Sequence, residues 1–473
     1  VAYCQRTIVY DPFCGLFYIF STVLSTRSSY DVKDPLSIER FAKGLLNKSL
    51  SQIFGDKAVQ LRKGKGKLGQ LLEELYFGYK PNSESRADFE EAGVELKTAP
   101  LKQTKKGFRS KERLVFNIID YNEEYKYNFD ESSFWKKNAL ILLMFYLFEK
   151  GKLDIDYIFK IIQLWKFPET DLKIIKDDWK KIVQKIKDGK AHELSEGDTL
   201  YLAASTKGAN ASSLRKQPFS NEMAMQRAFS LKSSYINFII QESLYGKSKA
   251  RDEALQVEAV VKNTSAYKKG ETFEDLVIKK FKPYYGYSEA QLIKTLGLKT
   301  NPKAKNRYEV FARAILGVRE KNVEEFEKAD VIMKTVRLQS TGTLKESMSF
   351  KQIQFKEIIH ETWLESSWFD ELERRFFFVV FKADKNGEQR LEKVKFFSIP
   401  ALDMEELEKV WTDTRNKIKA KHFDDFIKIS DKRIGHVRPK GADEKDRMET
   451  ADGSKQKKKC FWLNSSYIKE IVR

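Results

Sequence analysis

The feature that most limits how this chain can fold is that it repeats itself. "RADFEEAGVELKTAPL" (86–101) matches "VEEFEKADVIMKTVRL" (323–338) without a gap. "TKGAN" (206–210) returns as "PKGAD" (439–443), and "FSLKSSYI" (229–236) returns as "FWLNSSYI" (461–468). Any one pair would be ordinary in a lysine-rich chain. Three pairs in the same order, at nearly equal separations, imply a duplicated domain. At 473 residues the chain is also longer than a single core usually grows. A stretch rich in charge and poor in bulky apolar residues, from about 242 to 272, marks the join and has room for a short helix. The expected division is therefore an extension outside the repeat (1–29), a first domain (30–245), a linker (246–270) and a second domain (271–473).

Charge narrows the partner. Lys and Arg outnumber Asp and Glu by 87 to 68, a net charge of +19. That favours a polyanion, nucleic acid ahead of an anionic membrane surface, through long-range field and counterion release. The three cysteines (Cys4, Cys14, Cys460) and four histidines have no spacing that builds a zinc site or a disulfide framework, so a reducing, cytoplasmic setting is expected. The apolar run "FCGLFYIFSTVL" (13–24) is short for a bilayer span, has only Arg6 as a basic flank and is followed by no cleavage pattern. It reads as a non-native or over-extended start in preference to a signal, and no membrane association is expected.

The pattern after residue 30 is α/β. In "LGQLLEELYFG", Leu68, Leu71, Leu72 and Leu75 share one helical face, with Glu73 off that stripe. "GVELKTAPL" alternates with period two, and "RLVFNIIDY" is a second strand-like run. Apolar helical segments are expected at 138–164 and 171–187, and again in "FEDLVIKKF" and "FARAILGV" beyond the linker.

The chemistry concentrates in the first copy of the repeat. On a strand, Glu95 and Lys97 project from one face while Val94 and Leu96 enter the core. Asp88, arriving from the preceding turn, can complete with Glu95 an oxygen site for Mg²⁺, a hard cation that accepts carboxylates, waters and phosphate oxygens. Lys97 would then stand beside the metal, placed to orient a water and offset developing charge in phosphodiester hydrolysis. Glu73 is a candidate third acid for the metal or its water. An Asp followed by Glu-x-Lys is common by itself, and a solvated strand edge with a surface ion pair is the ordinary alternative.

Together, "KGKLGQLLEELYFG" and "DFEEAGVELKTAPL" resemble the MutH family, which comprises the mismatch-repair nicking endonuclease and the Sau-type GATC-cutting type II restriction endonucleases. The resemblance implies a restriction-endonuclease-like, PD-(D/E)xK α/β core and a catalytic set of Glu73, Asp88, Glu95 and Lys97, with Glu73, Asp88 and Glu95 as metal ligands. "LYLAASTKGANASS" is similar to the family's downstream DNA-reading segment and brings Lys207 forward as a DNA contact. Where the nickase has Arg-Pro-Lys, the first half has Ser205, Thr206 and Lys207, whereas the second half has Arg438, Pro439 and Lys440. In the second copy the acid and lysine pattern has decayed: Glu325 replaces Asp88, Ile332 replaces Glu95, and only Lys334 remains opposite Lys97.

An isoleucine cannot ligate magnesium, so one half is expected to cut and the other to bind. Two tandem MutH-like domains would form a pseudo-dimer, with Lys65, Lys207, Arg438 and Lys440 contacting DNA. The implied activity is a Mg²⁺-dependent type II restriction endonuclease that cleaves double-stranded DNA at GATC-like sites. Its partner would be one or two copies of the target, and it would act as a monomer or a DNA-induced dimer. The alternatives are a methyl-directed repair nickase and a catalytically inert DNA-binding protein.

Overall fold

The computed structural model describes residues 7–10, 17–20, 30–55, 68–79, 86–105, 107–208, 213–246, 255–299, 301, 304, 306–344, 347–443 and 445–473. Near the start, Thr7–Tyr10 pairs antiparallel with Phe17–Phe20. No described helix is long and apolar enough to cross a membrane.

The first half opens its functional region with a short helix, α1 (Leu68–Leu71), which passes directly into a π-helical stretch, Leu72–Phe77. The four leucines of the expected stripe are all buried. The central sheet follows, built from β1 (Val94–Thr104), β2 (Gly107–Ser110), and further on β4 (Leu140–Leu147) and β5 (Ile158–Trp165), in the order β2-β1-β4-β5. Strands β1 and β4 run parallel; the other neighbours are antiparallel. Between them in the chain lie β3 (Leu114–Ile118) and α2 (Ser133–Asn138). The long α3 (Glu169–Lys187), then β6 (Leu202–Thr206), β7 (Arg227–Leu231) and α4 (Ser233–Tyr245) complete this half. Strands β3, β7 and β6 make a second, antiparallel sheet.

The segment 138–164 is not helical as expected: it supplies β4 and β5. "LILLMFYL" is a continuous apolar run with Ile141 to Phe145 wholly buried, because β4 is paired on both sides and covered on both faces. Such a strand has no polar face and so loses the alternation that announces a strand. Gly151, at φ 89°, lies in the connection between the two strands. The helix expected over 171–187 is present as α3.

The second half repeats the order of directions. Helix α5 (Glu324–Ala329) precedes β8 (Ile332–Leu338), and β9 (Met348–Gln352), α6 (Ser367–Leu372), β10 (Phe376–Ala383), β11 (Gln389–Phe397), α7 (Ala401–Lys419), β12 (Gly435–Pro439), β13 (Lys459–Leu463) and α8 (Ser465–Ile471) follow. Strand β8 runs parallel to β10, which is antiparallel to β11, and β9-β13-β12 form an antiparallel sheet. The helices expected from "FEDLVIKKF" and "FARAILGV" are present as Phe273–Phe281 and Arg307–Leu316.

The described part of the join is built into the fold. Val257–Glu258 pairs parallel with Asn322–Val323, and Val261 is buried. One apolar core runs through both halves, from Leu143, Trp179 and Ile239 to Phe273, Phe326 and Phe377. A buried polar network crosses the same contact: Lys328 Nζ lies 3.0 Å from both carboxylate oxygens of Asp171 and 2.8 Å from Glu324, while Tyr235 Oη donates to Asp171 at 2.8 Å.

Candidate active site

Four segments meet at the amino-terminal end of β1. The π-helical stretch buries Leu72, Leu75, Tyr76 and Phe77 and leaves Glu73 partly exposed. Gly78 closes it at φ 79°, a conformation that disfavours any side chain, and Tyr79 N–H then donates to the Glu73 carbonyl at 3.0 Å. Before β1, Phe89 bridges Val94 across a tight turn whose corner, Gly93, has φ 64°. The turn folds Asp88 back along the strand, where its Oδ2 accepts the Leu96 N–H at 2.9 Å.

Val94 and Leu96 are buried as expected, yet Glu95 is only 1% exposed. The strand is therefore covered on the acidic face too. Lys97 Nζ donates to Glu95 Oε1 at 2.6 Å, and Lys137, at the end of α2, lies 3.6 Å from the same oxygen. Glu95 Oε2 is buried without a hydrogen-bond partner. Such an orphaned carboxylate oxygen is costly, and calls for a cation or a proton.

Electrostatics ties the acids together. Burial pushes the Glu95 carboxyl up to about 7, against the pull of Lys97 and Lys137 and with a push from Asp88. Burial, together with repulsion from Asp88 and Glu95, also raises Glu73 to about 7. The Tyr79 hydroxyl is buried without a partner beside this cluster and is held far above its usual range by burial and by the Asp88 and Glu73 charges.

Among the described residues, no group of three acidic, histidine or cysteine side chains is arranged as a ready metal cage. The donor set still fits a hard cation. Mg²⁺ keeps most of its waters and needs only one or two carboxylates, and the orphan Oε2 of Glu95 with Asp88 beside it offers that pair.

Lys137 was not singled out by sequence reasoning. The signal that could have found it is topological: α2 leads straight into the strand that pairs with β1, with Val94 opposite Leu140.

Of the residues expected to touch DNA, the described ones make no hydrogen bond or ion pair with this cluster. Lys65 falls outside the described residues. Lys207 is exposed just after β6, its backbone fixed by Gln226. In the second half Arg438 and Lys440 are exposed and meet on one ring: the Arg438 guanidinium stacks 3.7 Å from the Trp462 centroid and Lys440 Nζ lies 5.9 Å from it. Trp462 is thus a platform for basic residues as well as a packing group.

Comparison with known proteins now decides the family. The profile of the DNA mismatch repair enzyme MutH matches residues 77–178, a span holding Asp88, Glu95, Lys97 and Lys137. The type II restriction enzyme Sau3AI of Staphylococcus aureus is 36% identical to this chain, over 92% of the chain and 98% of the relative. The chain belongs to the Sau3AI family of type II restriction enzymes. MutH of Shewanella woodyi is 26% identical over 39% of this chain and 80% of its own length, and MutH of Shewanella sp. (strain W3-18-1) is 25% identical over 41% and 89%. The resemblance to the MutH group read from the sequence is borne out, and this Sau3AI-family chain carries the MutH nuclease region in its first half.

Proposed function

We propose that this restriction endonuclease cleaves both strands of duplex DNA at GATC or a closely related site, using Mg²⁺ held by Asp88 and Glu95 with Glu73 alongside. The observation that carries this reading is the orphaned, buried Glu95 oxygen next to Asp88, with two lysines on the opposite side of the same carboxylate. When bound, the metal would neutralise non-bridging phosphate oxygens and acidify a water. The rest falls to the chain. Lys97 holds Glu95 in place and, once a phosphodiester enters, presents an ammonium to the attacking water and to the charge growing on phosphorus. Lys137 adds a second positive charge from α2 and favours the ionised form of Glu95 against its burial. Glu73 orients water on the open side. In-line attack breaks the bond to the 3′ oxygen and leaves 5′-phosphate ends.

The two halves act as tandem MutH-like domains, a pseudo-dimer in one chain, divided near 30–245, 246–270 and 271–473. Support comes from the repeated strand directions, from the sequence repeats, and from MutH relatives that align over about two fifths of the chain. With Ile332 in the Glu95 position, the second half binds DNA, a second copy of the target included, through Arg438 and Lys440, while Lys65 and Lys207 serve the first. A cytoplasmic enzyme without other cofactors follows from this reading.

Digestion of a supercoiled plasmid carrying defined sites, with Mg²⁺ and sequencing of the ends, tests it. Linear product with breaks at GATC is expected. Nicked circles alone would favour the repair-type reaction, and uncut plasmid an inert binder.

A further inference from the structure

Strand β8 is the counterpart of β1, and it borders a cavity of about 460 Å³. The described residues lining it include Lys334, Arg337, Gln339, Ser347, Ser349 and Gln389, and no carboxylate. In the first half the ammonium of Lys97 is neutralised at 2.6 Å by Glu95, two positions earlier on the same strand face. In the second half that place belongs to Ile332. Lys334 accordingly makes no hydrogen bond or ion pair among the described residues, although it is half-buried.

Among the described residues, no carboxylate takes the place of Glu95 beside Lys334. Lys440 reaches the same place from β12, donating to Ser349 Oγ at 2.9 Å and to the Phe350 carbonyl at 2.8 Å, both neutral acceptors. Glu309 and Glu371 act on Lys334 from outside the lining, and Lys440 and Arg374 oppose them. Glu371 is already engaged by Lys351, through its N–H at 3.1 Å and its ammonium at 3.6 Å. With Ile332 in the place of that acid, the described lining carries Lys334 and Arg337 and no carboxylate.

We propose that this cavity is a phosphate-binding pocket, in which Lys334 takes the oxyanion and the Ser349 and Gln389 side chains add hydrogen bonds, while Arg337, on the other face of the strand over Tyr308, contributes only its charge. A half-buried ammonium without a counterion is stabilised by an anion, and phosphate offers the acceptors that such a donor set needs. The inference rests on the reading of the second half as a lapsed copy of the nuclease. The phosphate comes either from a DNA backbone or from a free phosphate compound.

The test uses the full chain in EDTA, so that no DNA is cut. Binding of inorganic phosphate and of a GATC duplex is measured by calorimetry and by fluorescence anisotropy, across a salt series, for the parent, Lys334→Gln and Ile332→Glu. The second variant restores an acid beside Lys334 and should close the pocket to anions while adding no cavity. If the source is DNA, both variants weaken duplex binding about tenfold and lower the slope of log affinity against log salt by about one. If it is a free compound, both lose phosphate binding and keep the duplex. Unchanged binding of both probes by both folded variants overturns the pocket. Failure of the nuclease reading would appear elsewhere, as parent protein that leaves plasmid uncut in Mg²⁺.

Discussion

Lys97 Nζ and Glu95 Oε1 lie 2.6 Å apart on one face of β1, and the second oxygen of that glutamate is buried with nothing to bind. One carboxylate thus has a satisfied side and an unsatisfied side. The lysine cannot serve both, because the strand fixes its direction. A cation on the far side would leave the lysine in place and free to meet substrate.

Lys97→Ala should therefore separate binding from turnover. Affinity for duplex DNA, measured in Ca²⁺ or EDTA, should stay within about threefold, since one ammonium at the floor of the site is one contact among many. Single-turnover cleavage should fall about 10²- to 10³-fold, the usual loss when a charge aimed at the transition state is removed. Loss of binding with unaltered turnover of bound DNA would contradict the role given to this residue.

The contact between the halves makes a stability prediction. Asp171 is buried and satisfied by Lys328 and by the Tyr235 hydroxyl. Lys328→Met leaves that carboxylate buried without its counterion and should destabilise the chain by about 3–5 kcal/mol. Replacing both charges, with Asp171→Asn and Lys328→Met together, should recover most of the loss. Denaturant midpoints of the two single variants and the double variant check this. Additive losses would show that the pair does not act as one unit.

How much of this was legible in the residues depends on whether the determining contact is local. The stripe Leu68, Leu71, Leu72, Leu75 and the pair Glu95 and Lys97 obey spacing rules set by a single element, and the sequence is enough to read them. Strands β4 and β5 are not of that kind. Ile141 to Phe145 are buried on both faces by elements distant in sequence, so the run has no period to detect. Lys137 fails for a related reason: its meeting with Glu95 depends on the parallel pairing of β1 with β4, which no window of residues encodes. The burial of Glu95 was also hidden, because alternation predicted an open acidic face. Glu325, read only as the residue opposite Asp88, clamps the join by accepting the Val260 and Val261 N–H groups, a contact that no local spacing encodes.

That clamp has a pH signature. Glu325 is buried and accepts the N–H groups of Val260 and Val261 at 3.0 and 2.8 Å, fixing the join to α5. Burial nevertheless raises its carboxyl from 4.5 to about 7, outweighing the two backbone bonds. The folded chain then holds this proton more tightly than the unfolded chain. Its contribution to stability is full below the unfolded value and is lost as pH rises towards about 7. Between about pH 5 and pH 8 the parent should lose on the order of 2 kcal/mol that Glu325→Gln does not lose. Urea midpoints of both proteins across that range give the comparison, and parallel curves would remove Glu325 from the account.

Arg438 provides the sharpest test of the second half. Its guanidinium stacks 3.7 Å from the Trp462 centroid, which restrains a long side chain and leaves its donors directed to solvent beside Lys440. A restrained cation loses less freedom when it meets a phosphate, so it should contribute more than a mobile surface lysine. Arg438→Ala should weaken duplex binding about tenfold and lower the salt slope by about one. Arg438→Lys should keep the charge and the slope but lose part of the affinity, because an ammonium does not reproduce the flat stacking contact. Trp462→Leu should behave like Arg438→Lys, since it releases the guanidinium without removing it. If all three variants bind duplex as the parent does across the salt series, the second half does not use this face for DNA.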